Sequence, residues 1–225
     1  MANVKKQNKE LNVEENVSKS EAFFAKNKKA IIIAVVAVVA IIAGVTLYHS
    51  MVAVPREAKA STLLAKGQRY FAESEFERAL NGDSLTYKGF LWIADEYSST
   101  KAGNLANLYA GLCYAQMKKW EESAKYIEKY DNADDDMIGP AAYGALGNVY
   151  AHMDQLDKAV SYLKKAAEKA DNNSISPTFL IQAGEILESQ NKPEEALKLY
   201  QQVKDKYFQS MQYQEIDKYI ERLTK

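Results

Sequence analysis

The chain is poor in the residues that build compact reactive sites. Its 225 residues include one cysteine, Cys113, and two histidines, His49 and His152. A lone thiol excludes an internal disulfide framework and a Cys-rich zinc site, and two histidines so far apart leave little for metal or triad chemistry. Ten glycines and four prolines suit long helices better than a turn-rich β architecture. Neither sign of charge prevails: 29 Lys+Arg against 30 Asp+Glu leave a net −1, which argues against a nucleic-acid binder. The excess is uneven, with seven Lys against four Glu in residues 1–29 and an acidic remainder. No nucleophile with its base, no phosphate loop and no catalytic carboxylate pair can be picked out. The expectation is a binding protein: no catalytic residues, no metal, no cofactor, not an enzyme.

What the chain does have is a long apolar run. Ala30 to Leu47 reads AIIIAVVAVVAIIAGVTL, and no charged residue follows until Arg56. Eighteen residues at ~1.5 Å each give about 27 Å, close to the ~30 Å hydrocarbon core of a bilayer. Apolar residues cover every face, unlike a core helix with one wet side. A cleavable signal peptide fits poorly, because the head is long and Met51-Val52-Ala53 is a weak cleavage pattern. The reading is an uncleaved signal anchor over 30–48, with Tyr48 at the interface. Lys26, Lys28 and Lys29 abut one end, while Arg56 and Lys59 are offset by Glu57 at the other. The positive-inside rule then puts the basic tail, 1–29, in the cytoplasm and the rest across the membrane. Residues 1–20 read as disordered, and Phe23 and Phe24 as a membrane-surface contact. Ala34, Ala37, Ala40 and Gly44 form a small-residue stripe, either plain filler or a contact with another membrane helix.

After a linker or helix extension at 49–60, residues 61–225 carry a repeat. Gly67, Gly111, Gly147 and Gly184 are spaced by 44, 36 and 37 residues. Three positions after each comes Tyr70, Tyr114, Tyr150 or Leu187, and twelve after each a small residue, Ala79, Ser123, Ala159 or Ala196. Gly on one helix and a small residue on the next let two backbones approach closely. Short polar turns such as Glu73-Ser74-Glu75 and Asn191-Lys192-Pro193 separate the helices. The extra residues of the first repeat, around NGDSLTYKGFLWIADEY, imply a longer second helix or one broken at Asn81-Gly82. Ile216, Tyr219, Ile220 and Leu223 share a face, as a closing helix would require. Asp131, Asp134, Asp135 and Asp136 lack the Gly and distal Glu of a calcium loop and read as a solvated cap for the next helix. Cys113 reads as a small core residue and His152 as a lone surface histidine.

This register resembles the tetratricopeptide repeat (TPR). The expected fold is all-α: a single N-terminal transmembrane helix, then a TPR α-solenoid of about four helix pairs with a C-terminal capping helix. By family register the concave, peptide-binding face would include Leu64, Gln68, Phe71, Leu105, Leu108, Leu112, Asn148, His152, Ile181, Glu185 and Glu188. It would grade from apolar near the membrane to polar or acidic at the far end. The leucines would either dock apolar segments of unfolded clients or pack against the inserted helix of the first repeat. Positions that clamp a C-terminal carboxylate in some repeat proteins hold Leu64, Gln68, Tyr109, Ala141 and Ala145, with no cation.

The whole order (a basic tail with Phe23, Phe24, Asn27 and Lys29, one span, then repeats) resembles the YfgM-like family of ancillary SecYEG translocon subunits in the bacterial inner membrane. The soluble part is similar to envelope TPR proteins of Bacteroidetes type, in ALNGD (79–83) and DEYSSTKAGNLAN (95–107). The resemblance implies partners that include a SecYEG-type translocon and a membrane-anchored periplasmic folding factor, and a chaperone or adaptor role toward newly exported, extended clients. The lipid bilayer is a further partner, and nucleic acid is not. The alternative is a tethered interaction scaffold for envelope or outer-membrane assembly.

Overall fold

The computed structural model describes the backbone of residues 2–83, 85–131 and 135–224, with side chains for Glu21 and from Phe23 onward. It is all-helical, with no strand among the described residues. The chain divides into two compact units, Met1–Pro55 and Arg56–Lys225.

In the first unit, α1 runs Ala2–Tyr48. The tail is therefore helical rather than disordered. No Gly or Pro interrupts residues 2–43, and a helix propagating outward from an apolar segment needs no second nucleus. Among the described residues, one helix is long and apolar enough to cross a membrane, and none of its apolar window is buried inside the protein. A π turn, His49–Ala53, follows, in which the Val54 N–H donates to the His49 carbonyl. Pro55 explains it: proline has no N–H for the Met51 carbonyl and its ring would collide with it, so the helix widens by one residue.

The second unit is built of helix pairs: α2 (Val54–Ala72) with α3 (Phe76–Asn81) and α4 (Phe90–Glu96), α5 (Lys101–Gln116) with α6 (Trp120–Ile127), α7 (Gly139–His152) with α8 (Leu156–Ala170), and α9 (Ser176–Ser189) with α10 (Pro193–Lys206). A 3₁₀ turn, Met211–Gln214, leads into α11 (Ile216–Thr224). The repeat glycines sit against the second helix of their own pair. A Cβ at Gly111 would lie 2.4 Å from Ile127 Cγ1 and 2.9 Å from the Ser123 carbonyl oxygen.

Each pair turns in the same way. Ser74, Lys118, Asp154 and Asn191, all seven residues after a repeat Gly, have φ near +60. The next N–H reaches back five residues, as from Glu75 to Tyr70 O and from Lys119 to Tyr114 O. This is a left-handed helix ending that satisfies the last carbonyls. Such short turns make each pair antiparallel, so first helices start at one edge of the unit and turn at the other.

Loops that lead into a helix use a side-chain acceptor. Asp83 Oδ1 accepts from the N–H groups of Leu85, Thr86 and Tyr87, and Asp135 Oδ1 from those of Met137 and Ile138. Asn172 Oδ1 accepts from Ser174 and Ile175. Of the acidic run, Asp134 lies outside the described residues; Asp135 caps the turn that leads into α7, while the helix's own N-cap, Ile138, makes no side-chain bond. The second helix of the first repeat is broken: α3 and α4 flank a loop bounded by Gly82 and Gly89, with φ of +98 and +93. Only glycine adopts those values without strain.

Candidate interaction surface

Counted from the repeat glycines, the residues expected to line the concave face fall into separate registers. Three positions before Gly, Leu64 and Leu108 are only 6% and 4% exposed. Leu64 belongs to a core with Ala102 and Ala106 of α5, and Leu108 to one with Ala142 and Leu146 of α7. First helices meet at this register, so both leucines are packing residues rather than a docking surface. Gly144 stands at that register in the third repeat, where the Phe179 ring fills the place of its missing Cβ. Ile181, at the same register, is half-buried.

One position after each Gly, no side chain is buried: Gln68, Leu112, Asn148 and Glu185 form a ladder, one rung per first helix. Leu105, on the same helix as Leu112, is also half-exposed and lines a cavity of about 380 Å³ with Lys101, Asn104, Tyr130 and Ile138. The apolar part of the surface is thus centred on α5, and the first repeat contributes the polar Gln68. The remaining expected residues are engaged. Phe71 packs edge-on to Phe76 and Tyr109, with ring centroids 5.5 and 5.6 Å apart. His152 is exposed but not alone: it stacks on Trp120, centroids 4.1 Å apart and 6° from parallel. Glu188 accepts from Tyr200 Oη and from Arg222 Nε at 3.0 Å, which ties α11 to α9. Burial pushes the Glu188 carboxyl up, but the Arg222 and Tyr200 hydrogen bonds outweigh this and hold it below the usual carboxylate value.

Along α1, Ala34, Ala37, Ala40 and Gly44 are all exposed, and a Cβ at Gly44 would meet nothing within 4 Å. Among the described residues, no group of three or more His, Cys, Asp or Glu could hold a metal ion.

Sequence reasoning missed the tyrosine–carboxylate bonds. Tyr70 donates to Asp83, Tyr130 to Asp135, Tyr150 to Glu128 and Tyr207 to Asp171. Backbone N–H groups of Thr86 and Tyr87 hold the Asp83 carboxyl far below its ordinary value, with Tyr70 adding to this. The signal available was the count of 15 tyrosines, high for a helical chain of this size.

A family model for the tetratricopeptide repeat-like domain matches residues 21–222. The chain belongs to the tetratricopeptide repeat-like domain family. The match begins upstream of the apolar run, so it takes in that run as well as the repeats of this TPR protein. Among solved structures, a crystal structure of MamA aligns with TM-score 0.53 at 13% identity, covering 73% of this chain and 89% of that one. The nearly identical TPR-like repeats of a Podosopora anserina putative kinesin light chain align with TM-score 0.51 at 10% identity, covering 75% and 96%. At these identities the likeness is one of fold. No curated protein matches the chain. The TPR fold is that of a protein–protein interaction scaffold.

Proposed function

We propose that this TPR protein is a single-pass anchor of a bacterial inner membrane, with its tail in the cytoplasm and its repeats on the export side. It works beside a SecYEG-type translocon as a chaperone or adaptor for newly exported chains or for a membrane-anchored folding factor. The observation that carries the reading is the joining, in one chain, of an apolar helix unburied by its own protein to a repeat unit presenting an open ladder. The lysines before the span set the orientation, and the likeness in Phe23, Phe24, Asn27 and Lys29 supplies the translocon. The peptide surface is Leu105 with the ladder Gln68, Leu112, Asn148 and Glu185. Ala34, Ala37, Ala40 and Gly44 face a neighbouring membrane helix.

The test is photo-crosslinking in living cells from Ala37 and Leu112, read by mass spectrometry. Translocon subunits captured at Ala37 and exported chains at Leu112 are the expected result. Lipid alone at Ala37, with one stable envelope protein at Leu112, would overturn the translocon role and leave a tethered assembly scaffold.

A further inference from the structure

The two edges of the repeat unit differ in chemistry. At one edge the chain enters the unit and each inter-repeat loop lies beside the next. Glu57 accepts from the Lys101 and Ala102 N–H groups at 2.7 and 3.0 Å, joining the start of α2 to the start of α5. Asn104 bonds the Asp131 backbone, Lys169 pairs with Asp136 at 3.6 Å, and Gln212 donates to Thr178. Of the large apolar side chains exposed in residues 56–224, five belong to the loops of this edge: Met137 (88%), Ile138, Phe208 (60%), Met211 (85%) and Tyr213. Leu85 lies elsewhere, inside the broken second helix. At the opposite edge the exposed turn residues are polar, among them Glu73, Ser74, Lys118, Lys119, Asp154 and Asn191.

We propose that this loop edge is a membrane-contact surface whose Met137, Phe208 and Met211 side chains enter the headgroup layer of the bilayer that holds the span. It rests on the span lying in a bilayer and not on the translocon assignment. Seven residues separate Tyr48 from Arg56. They bridge about 10 Å if helical and about 25 Å at full stretch, so the start of α2 stays within that distance of the lipid surface. Such a tether keeps the effective concentration of lipid high, and isolated insertions suffice. The apolar side chains fall in two small groups on separate loops, Met137 with Ile138 and Phe208 with Met211 and Tyr213. That arrangement suits a soft lipid layer better than a protein partner, which needs a contiguous complementary patch. Two of the described carboxylates on the edge are paired within the protein, Asp171 with Lys206 and Tyr207 and Asp136 with Lys169. The contact should therefore depend little on anionic lipid.

The test uses the full-length chain in liposomes of phosphatidylcholine, with and without phosphatidylglycerol. Nitroxide labels are placed singly at Ser174→Cys on the loop edge, Lys118→Cys on the opposite edge and Ala37→Cys in the span. Accessibility to oxygen and to a water-soluble nickel chelate is then measured. Shallow insertion predicts nickel access at Ser174 lower than at Lys118 by about threefold, in both lipid mixtures. Adding Met137→Asp and Met211→Asp should return Ser174 to the Lys118 value. If Ser174 and Lys118 are equally wet while Ala37 is oxygen-rich, the edge does not touch lipid and the proposal is overturned. If Ala37 itself is wet, the membrane reading fails with it.

Discussion

Replacing Ile216 by Ala tests whether α11 is a detachable cap. Ile216 is fully buried, in a cluster with Leu199, Tyr200, Val203 and Tyr207 of the last pair. The substitution removes three carbons, about 2.4 kcal/mol at ~0.8 per buried methylene, and the cavity left behind brings the cost into the ~2–5 kcal/mol range. A nine-residue helix has no stability in isolation, so α11 persists through this packing, to which Tyr219, Ile220 and Leu223 add, and through the Glu188–Arg222 and Lys204–Asp217 pairs. The cost should appear as local opening of the cap rather than melting of the solenoid. A loss of ~2 kcal/mol or more raises the open population by about 30-fold or more. Hydrogen exchange with mass spectrometry on the full chain in detergent should show residues 211–224 exchanging faster by that factor. Helices α5 to α8 should keep wild-type rates. Equal acceleration in α5 to α8, or none in 211–224, would refute the reasoning.

Gly111→Ala should overpack the second repeat, since its Cβ meets Ile127 Cγ1 at 2.4 Å; a cost of ~1–3 kcal/mol lowers Tm by about 2–4 °C per kcal/mol, readable by calorimetry, and an unchanged Tm sinks the claim. The Glu188 carboxyl sits below its ordinary value of 4.5 when folded, so its contribution is complete above pH 4.5 and is lost as pH falls through the lowered value. Exchange of α11, corrected for intrinsic rate, should therefore rise on acidification below 4.5, and Glu188→Gln should flatten that dependence. Burial raises the Cys113 thiol to about 12, and Cys113 has no exposed surface. The native chain should leave it unmodified by maleimide at pH 8 and react only on unfolding; fast native labelling would contradict the packing.

The features legible in sequence are those written locally. The Gly register, with a small residue twelve later, fixes how closely each pair packs, and it recurs without reference to the rest of the chain. The break near Gly82 and the Asp135 cap are equally local, because a positive φ and a short carboxylate act on the next few residues. What the sequence hides depends on how first helices cross. Leu64 and Gln68 are one turn apart on α2, yet one is core and the other surface, and only the neighbour α5 decides which. Tyr150 and Glu128, Tyr207 and Asp171, or Trp120 and His152 lie tens of residues apart. Nothing in local pattern pairs them.

Irregularity in this solenoid is confined to its second helices. First helices α5, α7 and α9 have 16, 14 and 14 residues. Second helices vary more: α8 and α10 have 15 and 14 residues, α6 has eight, and the first is split into pieces of six and seven. Tyrosines gather at both defects. Tyr87, 2% exposed, donates to the Ala79 carbonyl at 2.7 Å across the break. Where α6 stops early, Tyr130, Tyr143 and Tyr162 line a notch of about 600 Å³. The first helices keep their register past both defects, and the ladder Gln68, Leu112, Asn148 and Glu185 runs on with none of its side chains buried. Asp83→Ala removes the acceptor for three N–H groups and should free the loop, so exchange at Leu85 to Lys88 accelerates. Crosslinks from Leu112 should not change. Loss of those crosslinks along with the loop would mean that the break and the ladder are coupled, and that the second helices do more than support the first.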